Sequence, residues 1–127
     1  MLRAMPDPRS APPGAPDLRI RVLFGGVRLG PGKADLPERI AEAGSISAAG
    51  RAMGMSYRRA WALVEEMNAA FAEPLVETAR GGAGGGGARL TATGETVLAH
   101  YRRLEEILAE AGAARVAALR ALLREPA

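Results

Sequence analysis

The pattern of apolar and polar positions over residues 18–43 predicts a β-hairpin followed by a helix. Residues 18–24 alternate apolar and basic side chains and then become apolar, which is typical of a strand with one face in water. Two glycines predict a turn, and residues 27–29 return as a second short strand. Apolar residues at helical spacing then predict a helix over 34–43, with Asp35 as its cap and Gly44 at its end.

The next segment has the pattern of two helices that cross over a short turn. They are predicted over 45–53 and 56–71. Gly50 supplies the small residue needed where the helices cross, and Gly54 supplies a turn residue that tolerates a left-handed backbone. This pattern favours a helix-turn-helix over a generic helical hairpin. The apolar residues expected to hold the two helices together are Ala49, Met53, Met55, Ala60 and Leu63.

A glycine-rich segment separates two short apolar runs further along the chain. Residues 75–79 and 88–91 are predicted strands with a mobile loop over 80–89, which together form a β-hairpin. Residues 82–87 also satisfy the pattern GxGxxG, but a dinucleotide site needs a helix directly after the glycines, and here a strand follows. We therefore interpret the glycine-rich segment as a wing.

The last part of the chain predicts one long amphipathic helix over about 92–123, with Thr93 as its cap. A glycine inside a helix costs about 1 kcal/mol, so the sequence leaves open whether this helix breaks at Gly112. The predicted fold is mainly α with a small β-hairpin wing: a winged helix-turn-helix over 17–127 with a long C-terminal dimerisation helix. The apolar stripe of that helix comprises Val97, Leu98, Tyr101, Leu104, Ile107, Leu108, Val116, Leu119, Leu122 and Leu123.

Composition adds a basic character to this picture. The 127 residues fit one domain, and the Pro- and Ala-rich residues 1–16 predict a disordered tail. A net charge of +3 and a pI of about 10.2 permit binding to phosphate backbones without requiring it. Lys33 is the only lysine. Arginine suits phosphates and guanine edges, although a GC-rich genome would produce the same bias.

Several classes of chemistry are excluded by what the sequence lacks. The absence of cysteine excludes disulfides, Cys-ligated metal centres and a thiol nucleophile. His100 is the only histidine, which excludes a multi-His metal site, and we interpret it as a surface or interface residue. No apolar stretch approaches the roughly 20 residues that span a membrane, and no signal-peptide core is present. We expect a cytoplasmic protein that is not an enzyme and uses no cofactor.

The start of the second motif helix is where a helix-turn-helix meets the major groove. Arg58 is the best candidate for a bidentate contact to guanine, and Arg59 for a contact to a base or to the backbone. Ser56 is expected to cap the helix and touch phosphate, and Tyr57 to reach phosphate or stack. Trp61 lies at helical spacing with apolar residues, which favours a place in the core over a DNA contact.

Further phosphate contacts are expected from the other motif helix and from the wing. Ser45 and Ser47 begin the first motif helix, where they either cap its N–H groups or help these groups to bind phosphate. Arg80 and Arg89 flank the glycine loop, whose tip is expected to order on a phosphate or in a minor groove. Two glutamates later in the second motif helix confine its contacts to the first two turns.

The order of elements and three motifs resemble one known family. The motifs SISAA, GMSYRRAW and GGxxGGGxxLT, with a long helix after them, are similar to the N-terminal DNA-binding domain of the ModE family of molybdate-responsive regulators. LysR-type winged helices are similar more distantly. The resemblance covers residues 18–108 and implies a winged-helix fold, operator binding and a dimer formed by helices outside the motif, here the first helix and the long last one.

One departure from the family pattern limits what the resemblance implies. Molybdate-sensing members carry oxyanion-binding domains after this helix, whereas this sequence ends at Ala127, so we expect either a constitutive regulator or one that takes its signal from a separate effector-sensing protein. The leading hypothesis is a sequence-specific transcription regulator that binds double-stranded DNA as a homodimer on a partly palindromic operator. The alternative is a winged helix that binds a protein partner or effector.

Overall fold

The computed structural model describes residues 18–82 and 85–125, and it confirms the winged helix-turn-helix with a long C-terminal helix. The predicted tail, residues 1–16, lies outside the described residues. Two small antiparallel hairpins, β1–β2 and β3–β4, accompany the helices. In chain order the elements are β1 (Val22–Phe24), β2 (Val27–Leu29), α1 (Pro31–Ala43), α2 (Ile46–Ala52), α3 (Tyr57–Ala70), β3 (Val76–Gly82), β4 (Gly85–Leu90) and α4 (Ala92–Ala121).

The chain divides into two compact units. Residues 20–102 form the larger unit, which holds both hairpins and α1 to α3. Residues 1–19 and 103–127 form the smaller one, whose described part is mainly the second half of α4. Burial of apolar area is the main stabilising contribution to folding. The core of the larger unit therefore holds the two helices of the helix-turn-helix in place. That core comprises Leu36, Ile40, Ile46, Ala49, Ala60, Leu63, Val64, Met67, Leu75, Val76 and Ala88.

The crossing of α2 and α3 follows the sequence prediction closely. A Cβ atom placed on Gly50 would lie 2.9 Å from the Cβ of Ala60, so only glycine allows the two helices to approach this closely. Gly54 has a φ of 70°, the left-handed conformation that the turn was expected to need. Gly44 likewise ends α1 with a φ of 76°. Of the five apolar residues expected to hold the helices together, Ala49, Ala60 and Leu63 are buried and the two methionines pack against this core.

The prediction for the start of α1 was wrong. The helix begins at Pro31 rather than near residue 34, because proline is well suited to the first turn of a helix and Gly30 takes the cap position without a side-chain bond. Asp35 therefore lies inside the helix and does not occupy the cap position. Its Oδ1 accepts a hydrogen bond of 2.8 Å from Nη2 of Arg102, and Glu38 Oε2 lies 3.2 Å from the same nitrogen. The carboxylates of α1 thus anchor α4 within the larger unit.

The wing strands extend further into the glycine run than predicted. β3 and β4 pair antiparallel from Val76↔Leu90 onward, with an irregularity between Ala79 and Gly82. The base of the wing is tied to the end of α1, since the backbone N–H of Ala88 donates to the Gly44 carbonyl over 2.8 Å. Asn68 on α3 also binds the start of β3: its Oδ1 accepts from the N–H groups of Leu75 and Val76, and its Nδ2 donates to the Val76 carbonyl.

The cap of α4 differs from the prediction by two residues. Thr91, not Thr93, accepts the N–H of Gly94 on its Oγ1, while the hydroxyl of Thr93 donates to Glu73. The Thr91 hydroxyl donates to the Pro74 carbonyl, and this joins the end of β4 to the segment before β3. Both threonines thus contact the segment before β3, and the local sequence does not distinguish which of them caps α4.

α4 runs without a break through the position that the sequence left open. The helix is continuous from Ala92 to Ala121, and Gly112 lies within it. A Cβ at Gly112 would lie 3.4 Å from Cδ1 of Leu18, so this glycine makes room for an apolar side chain inside the smaller unit. In the larger unit, the buried Tyr101 of α4 donates its hydroxyl to the carbonyl of Ile20 over 2.6 Å, which fixes the strand region against the helix.

Candidate nucleic-acid interface

The outer face of α3 carries the residues that sequence reasoning placed against DNA. Tyr57, Arg58 and Arg59 are all exposed, whereas the opposite face of the helix is buried in the core. At about 100° per residue, Arg58 points away from the core, and Tyr57 and Arg59 lie on its two flanks. The first turn therefore presents two guanidinium groups and one phenol to solvent. The buried residues opposite them are Ala60, Leu63, Val64 and Met67.

One flank of α3 opens onto a cleft of about 300 Å³, which we call the wing cleft. Its walls come from the start of α2, the start of α3 and the base of the wing. Three of the predicted residues, Ser45, Ser47 and Tyr57, line it together. A cleft with hydroxyl groups on one wall and a β-hairpin on the other is suited to a strand of sugar–phosphate backbone. The remaining lining residues are Ile46, Trp61, Thr78, Ala79, Gly87 and Ala88.

Two of the three predicted serines, Ser45 and Ser56, cap helices. Ser45 Oγ accepts the N–H of Ala48 over 3.0 Å, and Ser56 Oγ accepts the N–H of Arg59 over 3.1 Å. Ser47 instead accepts a bond from Nη1 of Arg51 over 3.1 Å. A hydroxyl that accepts one bond keeps its own O–H donor, and a phosphate oxygen is an acceptor for that donor. Capping and phosphate contact are therefore compatible at Ser45 and Ser56, and the hydroxyl of Ser47 also keeps a donor for phosphate.

Trp61 takes the core position that its spacing predicts, while keeping an edge on the wing cleft. It is half-buried and packs against the core of the larger unit. The ring of Tyr57 meets it edge-on with 6.1 Å between the ring centroids. The indole Nε1 is buried and has no hydrogen-bond partner among the described residues. Trp61 thus supports the exposed phenol of Tyr57, which is 61% exposed.

Of the two wing arginines, Arg89 forms an ion pair within the wing, and for Arg80 only the backbone is described. Nε of Arg89 lies 2.7 Å from Glu77 Oε1, directly across the β3–β4 ladder, although the arginine side chain remains 80% exposed. A DNA phosphate would have to share this guanidinium with the glutamate. Arg80 lies on β3, and its side chain falls outside the described residues. The structure therefore brings four predicted residues to the α3 face, two serines to the wing cleft and Arg89 to the wing.

The other flank of α3 holds a feature that sequence reasoning missed. A cleft of about 320 Å³, which we call the basic cleft, is lined by Arg21, Arg28, Lys33, Arg59 and Glu66. These residues come from the first hairpin, the start of α1 and α3. The alternation of basic residues in 18–24 was the available signal, but it indicates only a wet strand face and not which element lies across from it. The cleft is completed by Gly30, Pro31, Gly32, Met55 and Leu63.

The charges of the basic cleft act on its single lining carboxylate. Lys33 Nζ donates to Glu66 Oε1 over 2.7 Å. This hydrogen bond and the charge of Lys33, with smaller contributions from Arg59 and Arg28, hold the pKa of the Glu66 carboxyl below its usual value. Glu66 therefore stays ionised and occupied with Lys33. The expected repulsion between this glutamate and a phosphate near the first turns of α3 is correspondingly reduced.

Other kinds of site find no counterpart in the described part of the chain. No group of three or more His, Asp or Glu side chains there is arranged to hold a metal ion. No helix in residues 18–82 or 85–125 is both long and apolar enough to cross a bilayer.

These elements define a winged helix-turn-helix domain, and comparison with known proteins agrees. Residues 36–95 match the model of the bacterial regulatory helix-turn-helix proteins of the lysR family. The molybdenum-pterin-binding protein MopB of Rhodobacter capsulatus is 46% identical over 80 residues, which are 63% of this chain and 30% of MopB. MopA of the same organism is 42% identical over 87 residues, 68% of this chain and 33% of MopA.

The transcriptional regulators named ModE show the same likeness. The DNA-binding transcriptional dual regulator ModE of Escherichia coli K12 is 43% identical over 77 residues, 61% of this chain and 29% of ModE. The helix-turn-helix region of this chain is similar to that of the ModE, MopA and MopB proteins, which confirms the resemblance seen in its motifs. The chain spans about a third of the length of these relatives, since the matched segments cover 29–33% of them.

Proposed function

We propose that this protein is a sequence-specific DNA-binding transcription regulator, for which the cytoplasm is the expected location. The observation that carries the proposal is the first turn of α3, where Arg58 is exposed and points away from the core between two clefts. A recognition helix is read from its N-terminal residues, and the backbone strands of the major groove pass along its flanks. The ModE relatives are transcription regulators by name, which supports the same function.

The proposed contacts divide into base reading and backbone positioning. Arg58 reads a guanine edge by a bidentate hydrogen bond, because it is central on the exposed face of α3. Arg59 binds the backbone on one flank, and Tyr57 on the other. The backbone contacts are completed by Ser45, Ser47 and Ser56 at the helix starts and by Arg80 and Arg89 on the wing. The molybdenum–pterin binding named for MopA and MopB is not proposed for these residues.

The proposed assembly is a homodimer formed by the second half of α4. In the smaller unit, the apolar side chains of this helix remain open to solvent, whereas the apolar face of α1 lies in the core of its own chain, so the expected contribution of α1 to the dimer is not supported. A continuous stripe of exposed apolar side chains is typical of a protein–protein interface. The exposed residues are Leu104, Ile107 and Leu108 on α4, Leu119 further along it, and Leu122 and Leu123 just after it.

The dimer gives a direct prediction. Leu108→Glu places a charge in the centre of the apolar stripe, so we expect sedimentation equilibrium to show a monomer and the affinity for a two-half-site operator to fall about 100-fold through lost avidity. Ala117→Glu is the matched control, because at about 100° per residue it lies on the opposite side of α4 and is exposed. A Leu108→Glu variant that stays dimeric, or two variants that behave alike, would place the dimer contact elsewhere.

Selection of bound fragments from a random duplex DNA pool, at low and at moderate salt, tests the function itself. We expect an enriched motif with two-fold symmetry, whose half-sites are about one helical turn apart, roughly 34–36 Å. Salt-sensitive binding without a motif would indicate an architectural role, since phosphate contacts alone carry no sequence information. No binding at either salt would contradict the proposal and support a protein-interaction module.

A further inference from the structure

We propose that the basic cleft is a second phosphate-binding site, one that takes a tetrahedral oxyanion of the phosphate class on the side of α3 away from the wing. It is built by the first hairpin, which the proposed helix-turn-helix contacts do not use. The oxyanion is either a phosphate of the DNA backbone or a free anion, and only the first source rests on the proposed function. The proposal stands on the arrangement of four cationic side chains around one opening.

The hairpin places two of these cations on one face. In the β1–β2 register Leu23 pairs with Arg28, and Arg21 lies two residues before Leu23. Side chains alternate between the two faces of a strand, so Arg21 and Arg28 share the outer face as diagonal neighbours, within about 7–8 Å. Two exposed guanidiniums carried by neighbouring positions on one face repel each other, and an anion between them relieves the repulsion.

The backbone at Gly30 fits the side chain of Arg21. A Cβ at Gly30 would lie 3.4 Å from Nε and 3.7 Å from Cγ of Arg21, so the arginine stem passes closely over this residue. Packing along the stem removes rotamer freedom that a solvated arginine would keep. The guanidinium is thereby directed toward the start of α1, where Lys33 lies.

The charge balance leaves the cleft strongly positive. Four cations line it against one carboxylate, a surplus of three charges. The carboxylate, Glu66, is held by Lys33, whose side chain is only 16% exposed. The guanidiniums of Arg21, Arg28 and Arg59 remain for a ligand, and planar guanidinium forks match the oxygens of a phosphate.

The size and the position of the cleft both fit a phosphate. Its volume of about 320 Å³ leaves room for a hydrated oxyanion. On α3, Arg59 is about 200° around the helix axis from Tyr57, so the basic cleft and the wing cleft lie on opposite flanks of Arg58. A helix in the major groove has a backbone strand on each flank, which is the arrangement that two such clefts would serve.

The test removes hairpin charges and leaves α3 intact. The variants are Arg21→Gln and Arg28→Gln, with Arg28→Lys as the charge-preserving variant. Arg39→Gln is the matched control, because it removes one exposed positive charge from α1 outside the cleft. All of these side chains are exposed, so equal melting temperatures verify that each variant folds.

The DNA arm measures the salt dependence of binding to the selected operator. Each lost phosphate contact lowers the slope of log K against log salt by about 0.9. The ratio of wild-type to Arg28→Gln affinity should therefore be about eightfold larger in 0.1 M salt than in 1 M salt for each lost contact. Arg28→Lys should retain most of the slope, and Arg39→Gln should match the wild type. This outcome assigns a backbone phosphate to the cleft.

The free-anion arm titrates inorganic phosphate into the full chain without DNA and follows the arginine Nε–H signals by NMR. Saturable shifts at Arg21 and Arg28 that are lost in the glutamine variants assign a free oxyanion, even if the wild type binds no DNA and the proposed function has failed. If the wild type binds DNA but the hairpin variants equal Arg39→Gln in both arms, the phosphate site is overturned while the proposed function stands.

Discussion

Gly94→Ala is expected to lower the free energy of unfolding by about 2–3 kcal/mol, the upper part of the roughly 1–3 kcal/mol that an extra methyl group costs in a well-packed place. A Cβ at Gly94 would lie only 2.1 Å from the carbonyl oxygen of Leu75 and 3.0 Å from its carbonyl carbon. These are backbone atoms in a segment already bound to Thr91, whose N–H donates to the Leu75 carbonyl over 2.9 Å. Neither side can yield without breaking the junction between the wing and α4.

Thermal unfolding measures this effect. For a domain of about 100 residues, 1 kcal/mol shifts the melting temperature by roughly 4–8 °C, so we expect a loss of about 10–20 °C. Gly112→Ala is the control in the same helix, because its Cβ would meet only the end of the Leu18 side chain at 3.4 Å. That variant should melt at or above the wild-type temperature, since alanine is favoured over glycine in a helix by up to about 1 kcal/mol. Equal melting temperatures for the two variants would contradict the close contact at Gly94.

The helix-turn-helix could be predicted from sequence because its constraints are local. Gly50 and Gly54 are four residues apart, and each answers a steric requirement of one crossing and one turn. Ser45 and Ser56 cap helices through N–H groups only three residues away. Rules of this kind act within one cap or one helix–turn–helix unit, so no knowledge of the remaining fold is needed to apply them.

The predicted helix caps are wrong where contacts with residues distant in the sequence determine the local structure. Asp35 has the composition of a helix cap, but it is engaged by Arg102, which lies 67 residues further along the chain. Thr91 rather than Thr93 caps α4, and both hydroxyls donate to the segment before β3, at Pro74 and Glu73 respectively. The choice between two acceptable caps depends on tertiary packing, which a local pattern does not contain.

In the candidate nucleic-acid interface, too, the features set by local sequence could be predicted and those set by tertiary contacts could not. The exposed arginines of α3 follow from helical periodicity alone, since Arg58 and Arg59 lie off the apolar stripe. The basic cleft needs the hairpin and α3 to meet across more than thirty residues of chain, and no spacing in the sequence reveals this. The missed residues are thus long-range partners of one predicted residue, Arg59.

Arg58→Ala is expected to relax the sequence preference of the protein at one base pair of each half-site. A bidentate arginine–guanine contact discriminates against other bases by about 1–3 kcal/mol, which is about 5- to 150-fold in affinity at 1.4 kcal/mol per tenfold. Losing it should bring the affinities for the four bases at that position together, while preferences elsewhere remain. The reason is that Arg58 is the residue of α3 that points directly away from the core, with both flanks of the helix facing clefts.

The comparison variant is Arg80→Ala on β3, for which we expect the opposite pattern. A contact to phosphate carries no base information, so this variant should bind all operators more weakly by a similar factor and lower the salt slope by about 0.9. The measurement is a panel of operators with single base changes, titrated with wild type, Arg58→Ala, Arg80→Ala and the surface control Arg39→Ala. If Arg58→Ala weakens every operator alike, as Arg80→Ala does, then Arg58 binds the backbone and base reading must come from another residue. In the described part of α3, Arg59 is the neighbouring side chain that could read a base instead of Arg58. Removal of Arg59 would then have to change both the sequence specificity and the salt dependence of binding.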